Sequence, residues 1–205
     1  MAYVRTTSIM NLLYMNKIMK KIFVAIALTI STLVCAQSHM NFRGIKINGT
    51  LAEFVKQMEL KDFKVFSTDE HSVLMFGRHH GLTVVAEVMA TPVSETVYKV
   101  VITYPTSAAL WHSLYMDYGT IRTKIEKTYG SPSEVVERFE SPYSEDNKPF
   151  EALREGKATF MSKYITVGGG IIVQLLYAEP HHEVQSIYWD TINEELYQTE
   201  SMSGN

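Results

Sequence analysis

Apolar residues recur along the chain at helical and then at strand spacing. A capping box at Thr50 and Glu53 starts a predicted helix that ends near Leu60, with an apolar stripe of Leu51, Phe54, Val55 and Met58. A short strand precedes it in residues 42–49, and strand-like runs follow it at 63–66, 73–76, 82–89 and 97–104. In the last run one face carries Tyr98, Val100, Ile102 and Tyr104, and the other carries Lys99 and Thr103. This alternation is typical of a half-buried antiparallel strand.

The second half repeats this order. Pro105-Thr106 opens the longest predicted helix, which ends at Tyr129–Pro132 and carries the stripe Leu110, Trp111, Leu114, Tyr115, Tyr118, Ile121 and Ile125. Strands are predicted at 135–139, 158–167, 171–177 and 184–189, with a polar insertion at 141–157 that contains a short helix near 150–153. A second capping box, Thr191–Glu194, predicts a C-terminal helix, and a disordered tail is predicted at 199–205.

Short sequence matches relate the two halves. Gly49-Thr50-Leu51 matches Gly119-Thr120-Ile121 at an offset of 70, and two later matches, after strands, have offsets of 88 and 86. The insertion at 141–157 accounts for the change of offset. The sequence therefore predicts an α+β fold of tandem helix-plus-antiparallel-strand repeats, at about 42–104 and 105–198. These repeats form one sheet with helices packed on one side, within a single domain at 37–198.

Three segments resemble small uncharacterised exported proteins of Gram-negative gut anaerobes. They are the first predicted strand and turn at Phe42–Gly49, the end of the long helix at Tyr129–Pro132, and the end of the last strand at Ile187–Asp190. The tandem architecture is similar to β-lactamase-inhibitor-protein-like repeats and to small outer-membrane assembly lipoproteins. The resemblance implies a fold and no activity, because one fold serves many functions.

Residues 1–36 have the three parts of a secretory signal. Arg5, Lys17, Lys20 and Lys21 precede an apolar run, no acidic residue interrupts them, and Ala36 ends the segment. We expect cleavage before Gln37. Met19 is an alternative translation start, in which case residues 1–18 are not part of the natural protein. The alternative is lipid anchoring through Cys35, which Val34 disfavours because lipoproteins carry a small residue at that position. The expected location is periplasmic or secreted.

Removal of residues 1–36 changes the charge and the chemistry of the chain. The remaining 169 residues hold 15 basic and 22 acidic side chains, a net charge of about −7, and no cysteine. Without a Lys/Arg cluster, nucleic acids and anionic membranes are poor partners. Disulfides and thiolate chemistry are excluded. No transmembrane segment is predicted in this part of the chain.

The histidines do not form a metal-binding motif. His79-His80 and His181-His182 are adjacent pairs, and neighbours on a strand point to opposite faces, so one pair does not easily chelate one ion. We therefore expect exposed turn residues, no metal and no cofactor, with convergence of the two pairs in space as the alternative. Gly168–Gly170 predicts a turn or bulge rather than a phosphate loop, because a strand and not a helix follows it.

Catalytic residues are not selected by any motif. His112 adjoins Trp111 on the long helix, but the chain has no Gly-x-Ser-x-Gly elbow, and nothing in the spacing singles out Asp117 or Glu126 as a partner.

Asp190-Thr191-Ile192 is similar to a short O-glycosylation pattern, and helix capping explains the same residues.

Ten tyrosines after residue 36 suggest a binding surface. We expect it on the uncovered face of the sheet, with Tyr98 and Tyr188 as the ligand-binding residues and ordinary strand packing as the alternative. The leading hypothesis is a non-enzymatic binding module for a protein, peptide or glycan. The others are a hydrolase-like enzyme that uses His112 or the His79-His80 turn, and an envelope-assembly component.

Overall fold

A computed structural model describes residues 38–106 and 109–203 of the chain. The predicted signal peptide and Cys35 lie outside the described residues. The described helices are α1 (Leu51–Glu59), α2 (Trp111–Tyr129), α3 (Pro149–Arg154) and α4 (Thr191–Ser203). The described strands are β1 (Asn41–Phe42), β2 (Ile45–Lys46), β3 (Lys64–Thr68), β4 (Ser72–His79), β5 (Leu82–Ala90), β6 (Val97–Tyr104), β7 (Glu134–Phe139), β8 (Ala158–Thr166), β9 (Gly169–Ala178) and β10 (His181–Asp190).

Eight of these strands form one antiparallel sheet in the order β3-β4-β5-β6-β10-β9-β8-β7. Each repeat supplies a helix followed by four strands, and the last strands of the two repeats, β6 and β10, pair at the centre. β1 and β2 form a separate hairpin. This topology confirms the predicted α+β class and the tandem arrangement.

The core lies between one face of the sheet and the helices. α1 buries Phe54 and Met58, while α2 buries five residues, Trp111, Leu114, Tyr118, Ile121 and Ile125. They pack against alternate strand residues, including Met75, Val88, Ile102, Val173 and Tyr188. Each large apolar side chain that is fully buried contributes about 1.5–3 kcal/mol relative to exposure. The helical periodicity in the sequence thus identifies the faces that the helices bury.

The helix ends differ from the prediction in three places. α2 begins at Trp111 and not at Pro105, because the Thr106 hydroxyl donates to the carbonyl of His182 (2.7 Å) and holds this segment against β10. The N-cap of α4 is Asp190 and not Thr191, since the backbone N–H of Asn193 donates to Asp190 Oδ1 (3.0 Å).

The tail predicted at 199–205 is helical as far as Ser203. The Glu200 carboxylate accepts hydrogen bonds from the backbone N–H groups of Val93 (2.7 Å) and Ser94 (3.1 Å). These bonds fasten the last turns of α4 to the β5–β6 loop, a contact between distant parts of the sequence that local composition does not reveal.

In the glycine run at 168–170, Gly168 lies in the predicted turn between β8 and β9, and Gly169 and Gly170 begin β9. Gly168 has a φ of +83°, and a Cβ there would collide with the backbone carbonyl of Ser38. The segment that starts at Ser38 therefore lies directly against the turn. It is held there by Asp190, whose carboxylate accepts from the Met40 N–H (2.7 Å) and contacts His39 Nδ1 (3.1 Å).

Candidate binding surfaces

The open face of the sheet, which we define as the face opposite α1 and α2, is the largest candidate surface. Strand registers align its side chains in rows across the sheet. One row runs through Leu74, Glu87, Val101, Ile187, Ile172 and Lys163. The next runs through Phe76, Val85, Thr103, Gln185, Gln174 and Met161. The pairing is unbroken from β4 to β8, so these rows form one continuous surface.

This open face is apolar along much of its area. Phe76 is 45% exposed and Ile165 62% exposed, and Phe66 at the β3 edge, 58% exposed, contacts the Phe76 ring at a centroid distance of 4.9 Å. Trp189 lies over Gly170, where a Cβ would collide with the indole ring. Lys163 Nζ stands 6.0 Å from the centre of the same indole. Contiguous exposed apolar area of this kind marks interaction surfaces in many proteins.

Tyr98 and Tyr188, the predicted ligand-binding residues, are both buried. Tyr98 is 1% exposed and stacks on Tyr197 with a centroid separation of 4.3 Å and an angle of 8°. Tyr188 is fully buried among core residues and contacts Phe42 at 5.0 Å. Neither ring is open to solvent: Tyr98 lies at a bulge in β6 and is covered by Tyr197 of α4, while Tyr188 occupies a position of β10 that alternates toward the core.

His79 ends β4 inside the core rather than in an exposed turn. Its Nε2 is 3.0 Å from Tyr188 Oη, and its side chain is 8% exposed. Burial, with help from the neighbouring His80 and Arg43, lowers the pKa of His79 to about 3. Burial also raises the pKa of Tyr188 well above its ordinary value. Both groups are therefore neutral at physiological pH, which suits a hydrogen bond within the core.

His80 lies beside His79, with ring centroids 4.0 Å apart. Burial lowers its pKa too, and the nearby Lys124 and Arg43 act in the same direction. Its Nε2 has no hydrogen-bond partner among the described residues. The expectation of exposed turn residues is wrong for this pair, because the β4–β5 turn folds back over the core and against α2, whose Lys124 donates to the His80 carbonyl (2.7 Å).

The second histidine pair, His181 and His182, lies in a different environment. His181 is exposed, and His182 packs against Phe150 and Tyr177 at centroid distances of 4.6 and 5.1 Å. Among residues 38–106 and 109–203, no three His, Cys, Asp or Glu side chains are grouped so as to hold a metal ion.

A histidine–carboxylate pair with a buried carboxylate joins His39 and Asp190, and a more exposed pair joins His71 and Glu70 at 3.8 Å. Sequence spacing did not indicate the first pair, since its two residues are 151 positions apart. His39 Nε2 is 3.2 Å from the Asn48 amide nitrogen, and the two Asp190 oxygens accept from the backbone of Met40 and Asn193. These bonds fix the segment from Ser38 and the start of α4. His112 is exposed on α2 and makes no side-chain hydrogen bond to the described residues.

Neither comparison of sequence nor comparison of structure found a relative. The chain matches no protein-family model, no curated protein and no solved structure. Within the part of the chain that the structure describes, no helix combines the length and the apolar character needed to cross a membrane.

Proposed function

We propose that this protein is an exported, non-enzymatic binding module that docks a partner on its open face. The observation that carries the proposal is the aligned set of apolar side chains on the face opposite α1 and α2, with Phe66, Phe76 and Ile165 substantially exposed. The partner is a protein, or a peptide or glycan segment that a larger molecule displays. The surface differs from the tyrosine pair that the sequence suggested, and it uses Phe76 and Trp189 as its aromatic residues.

The composition of this surface favours a protein partner. Its central rows mix aliphatic side chains with uncharged Thr103, Gln174 and Gln185, and its charged groups, such as Glu87 and Lys163, are few and of both signs. Depletion of charge around apolar and aromatic side chains is typical of the buried centre of protein interfaces. An envelope-assembly component would use the same surface, so that alternative differs in the partner and not in the site. The geometry of the described histidines does not favour the hydrolase-like alternative.

Affinity capture from the cell envelope and the medium tests the proposal. The tagged protein is compared with a Phe76→Ser/Ile165→Ser variant, which removes exposed apolar area from the open face. The matched control is Leu60→Ser/Met202→Ser, because Leu60 and Met202 are also exposed (79% and 76%) and lie at the C-cap of α1 and in α4, outside the strands of this face.

We expect a partner that the parent and the control retain and the open-face variant loses by at least about tenfold, which corresponds to about 1.4 kcal/mol. The purified partner should then bind the purified protein with the same ranking of variants. Equal capture by all three proteins, or a loss confined to the control, would show that the open face is not the docking surface.

A further inference from the structure

A cavity of about 290 Å³ lies at the β7 edge of the sheet, on the side covered by α2 and separate from the open face. Its walls are Trp111 and Tyr115 of α2, Phe139 of β7, Phe160 of β8, and the carboxylate residues Glu137 and Glu145. The indole of Trp111 lies 5.4 Å from the Phe139 ring and 5.1 Å from the Phe160 ring. Tyr115 completes the aromatic wall, 5.9 Å from Phe160.

The aromatic rings are held in place by their surroundings. Trp111 and Phe160 are 8% and 6% exposed. The Tyr115 hydroxyl donates to Glu137 Oε2 (2.8 Å), and the other oxygen of Glu137 is paired with Arg122. The cavity is therefore lined by ordered rings and needs little reorganisation to accept a ligand.

The surroundings of the cavity are acidic. Residues 134–157 contain seven acidic and four basic side chains, a net charge of −3. Lys148 and Lys157 are already paired with Glu151 (3.0 Å) and Glu140 (2.9 Å). Glu145, at the rim, makes no hydrogen bond or ion pair with the described residues. An anion is disfavoured here, and a cation gains from both the charge and the ring faces.

The electron-rich faces of Trp, Tyr and Phe attract organic cations, most strongly when a carboxylate is close by. The volume is at the lower end of the range for ligand pockets, about 300–1,000 Å³, so the site suits a compact group. We propose that this cavity binds a small organic ammonium ion, of the quaternary or alkylated amine class. The rings surround the cationic group and Glu145 supplies the unpaired charge.

Tryptophan fluorescence tests this site directly. The chain has two tryptophans, and Trp189 lies on the open face, so a Trp189→Phe background leaves Trp111 as the reporter. Choline is titrated in parallel with 3,3-dimethylbutanol, its uncharged carbon isostere. We expect one saturable site for choline and binding of the isostere that is weaker by about tenfold or more.

Two variants at neighbouring positions distinguish a direct contact between Glu145 and the ligand from a general effect of negative charge. Glu145→Gln and Asp146→Asn remove the same charge one residue apart, and only Glu145 lines the cavity. We expect Glu145→Gln to weaken choline binding about three- to tenfold, Asp146→Asn to change it less than twofold, and Phe139→Leu to weaken it about tenfold. Circular dichroism confirms that each variant is folded.

Three results would overturn the proposal. Equal affinity for choline and the isostere would make the cavity a purely apolar pocket. Equal weakening by Glu145→Gln and Asp146→Asn would assign the effect to net charge rather than to this site. The absence of any saturable change in Trp111 fluorescence up to tens of millimolar choline would show that the cavity takes no such ligand.

Discussion

At each outer edge of the sheet, a helix of the same repeat lies near the first strand and a cavity is present. α1 packs against β3 at one edge. α2 packs mainly against β8, β9 and β10 and reaches β7 through Tyr115 and Arg122, which contact Glu137. The cavity beside β3 measures about 240 Å³ and is lined by aliphatic and acidic side chains, including Leu51, Val55, Val65, Glu70 and Glu95. The cavity beside β7, of about 290 Å³, is lined by aromatic rings.

The connection after the edge strand also differs between the two edges. β3 and β4 are joined by the short turn 69–71, closed by a hydrogen bond from the Asp69 N–H to the Ser72 carbonyl (2.8 Å). β7 and β8 are joined by residues 140–157, which include α3 and bring Glu145 to the rim. The second repeat thus keeps the sheet pairing while its long insertion adds Glu145 to the rim of a cavity whose rings come from α2, β7 and β8. Connections between secondary-structure elements vary more easily than the elements do.

Shortening one buried side chain at each edge should give the largest difference between the edges, measured in the free energy of unfolding. Phe160 in β8 and Val73 in β4 are about equally buried, at 6% and 5% exposure, and each lines the cavity at its own edge. Phe160→Ala should cost about 3–5 kcal/mol in the free energy of unfolding, because a ring is lost from packed neighbours. Val73→Ala should cost about 2 kcal/mol. Urea denaturation measures both, and equal losses would contradict the view that the aromatic edge carries more of the stability.

The two repeats also differ in the burial of a histidine, since His79 in the first is buried and His181 in the second is exposed. The folded-state pKa of His79 is about 3, below its ordinary value of 6.5, so between these values the unfolded chain binds a proton that the folded chain does not. Stability is therefore complete above pH 6.5 and falls as the pH drops toward 3, at about 1.4 kcal/mol per pH unit for this group. His181, the exposed first residue of β10, lies outside the core and serves as the comparison.

Urea titrations at pH 7, 6, 5 and 4 measure this effect. His79→Gln should flatten the slope by about 1 kcal/mol per pH unit over the lower part of this range. His181→Gln is the control for the loss of a histidine at an exposed position. An unchanged slope in His79→Gln would mean that His79 is protonated in the folded protein, in conflict with its burial beside Tyr188.

Local sequence signals predicted most of the fold because the forces behind them are local. The capping box at Thr50 and Glu53 forms, with both of its hydrogen bonds present. Five of the seven residues in the predicted stripe of α2 are buried, while Tyr115 is half-buried and Leu110 is exposed and precedes the helix. The predicted strand Val97–Tyr104 is correct at both ends. Where a distant partner decides the outcome, the prediction fails. The start of α2 depends on His182, and the end of α4 depends on the β5–β6 loop.

The candidate surface was only half predictable. Alternation already placed Lys99 and Thr103 opposite Val100 and Ile102 of the core, but a bulge in the pairing of β5 with β6 interrupts the alternation at Tyr98. Register supplies what the sequence lacks, because pairing across β6 and β10 sets Trp189 beside Lys99 and Ile187 beside Val101. The cavity at the β7 edge could not be predicted from the sequence. Its rings come from α2, β7 and β8, and no sequence spacing joins them.

The ion pair across the β7 edge should give the smallest effect. Arg122 of α2 and Glu137 of β7 are paired, at 32% and 25% side-chain exposure, and no ion pair joins α1 to β3 among the described residues. Partial exposure leaves the pair screened by solvent, so a double-mutant cycle of Arg122→Met and Glu137→Gln should give a coupling of about 0.2–1 kcal/mol. Raising the salt concentration to about 1 M should shrink it further, because the screening length falls to about 3 Å. A coupling above about 2 kcal/mol that resists salt would show that electrostatics, and not aromatic packing, distinguishes this edge from the edge at β3.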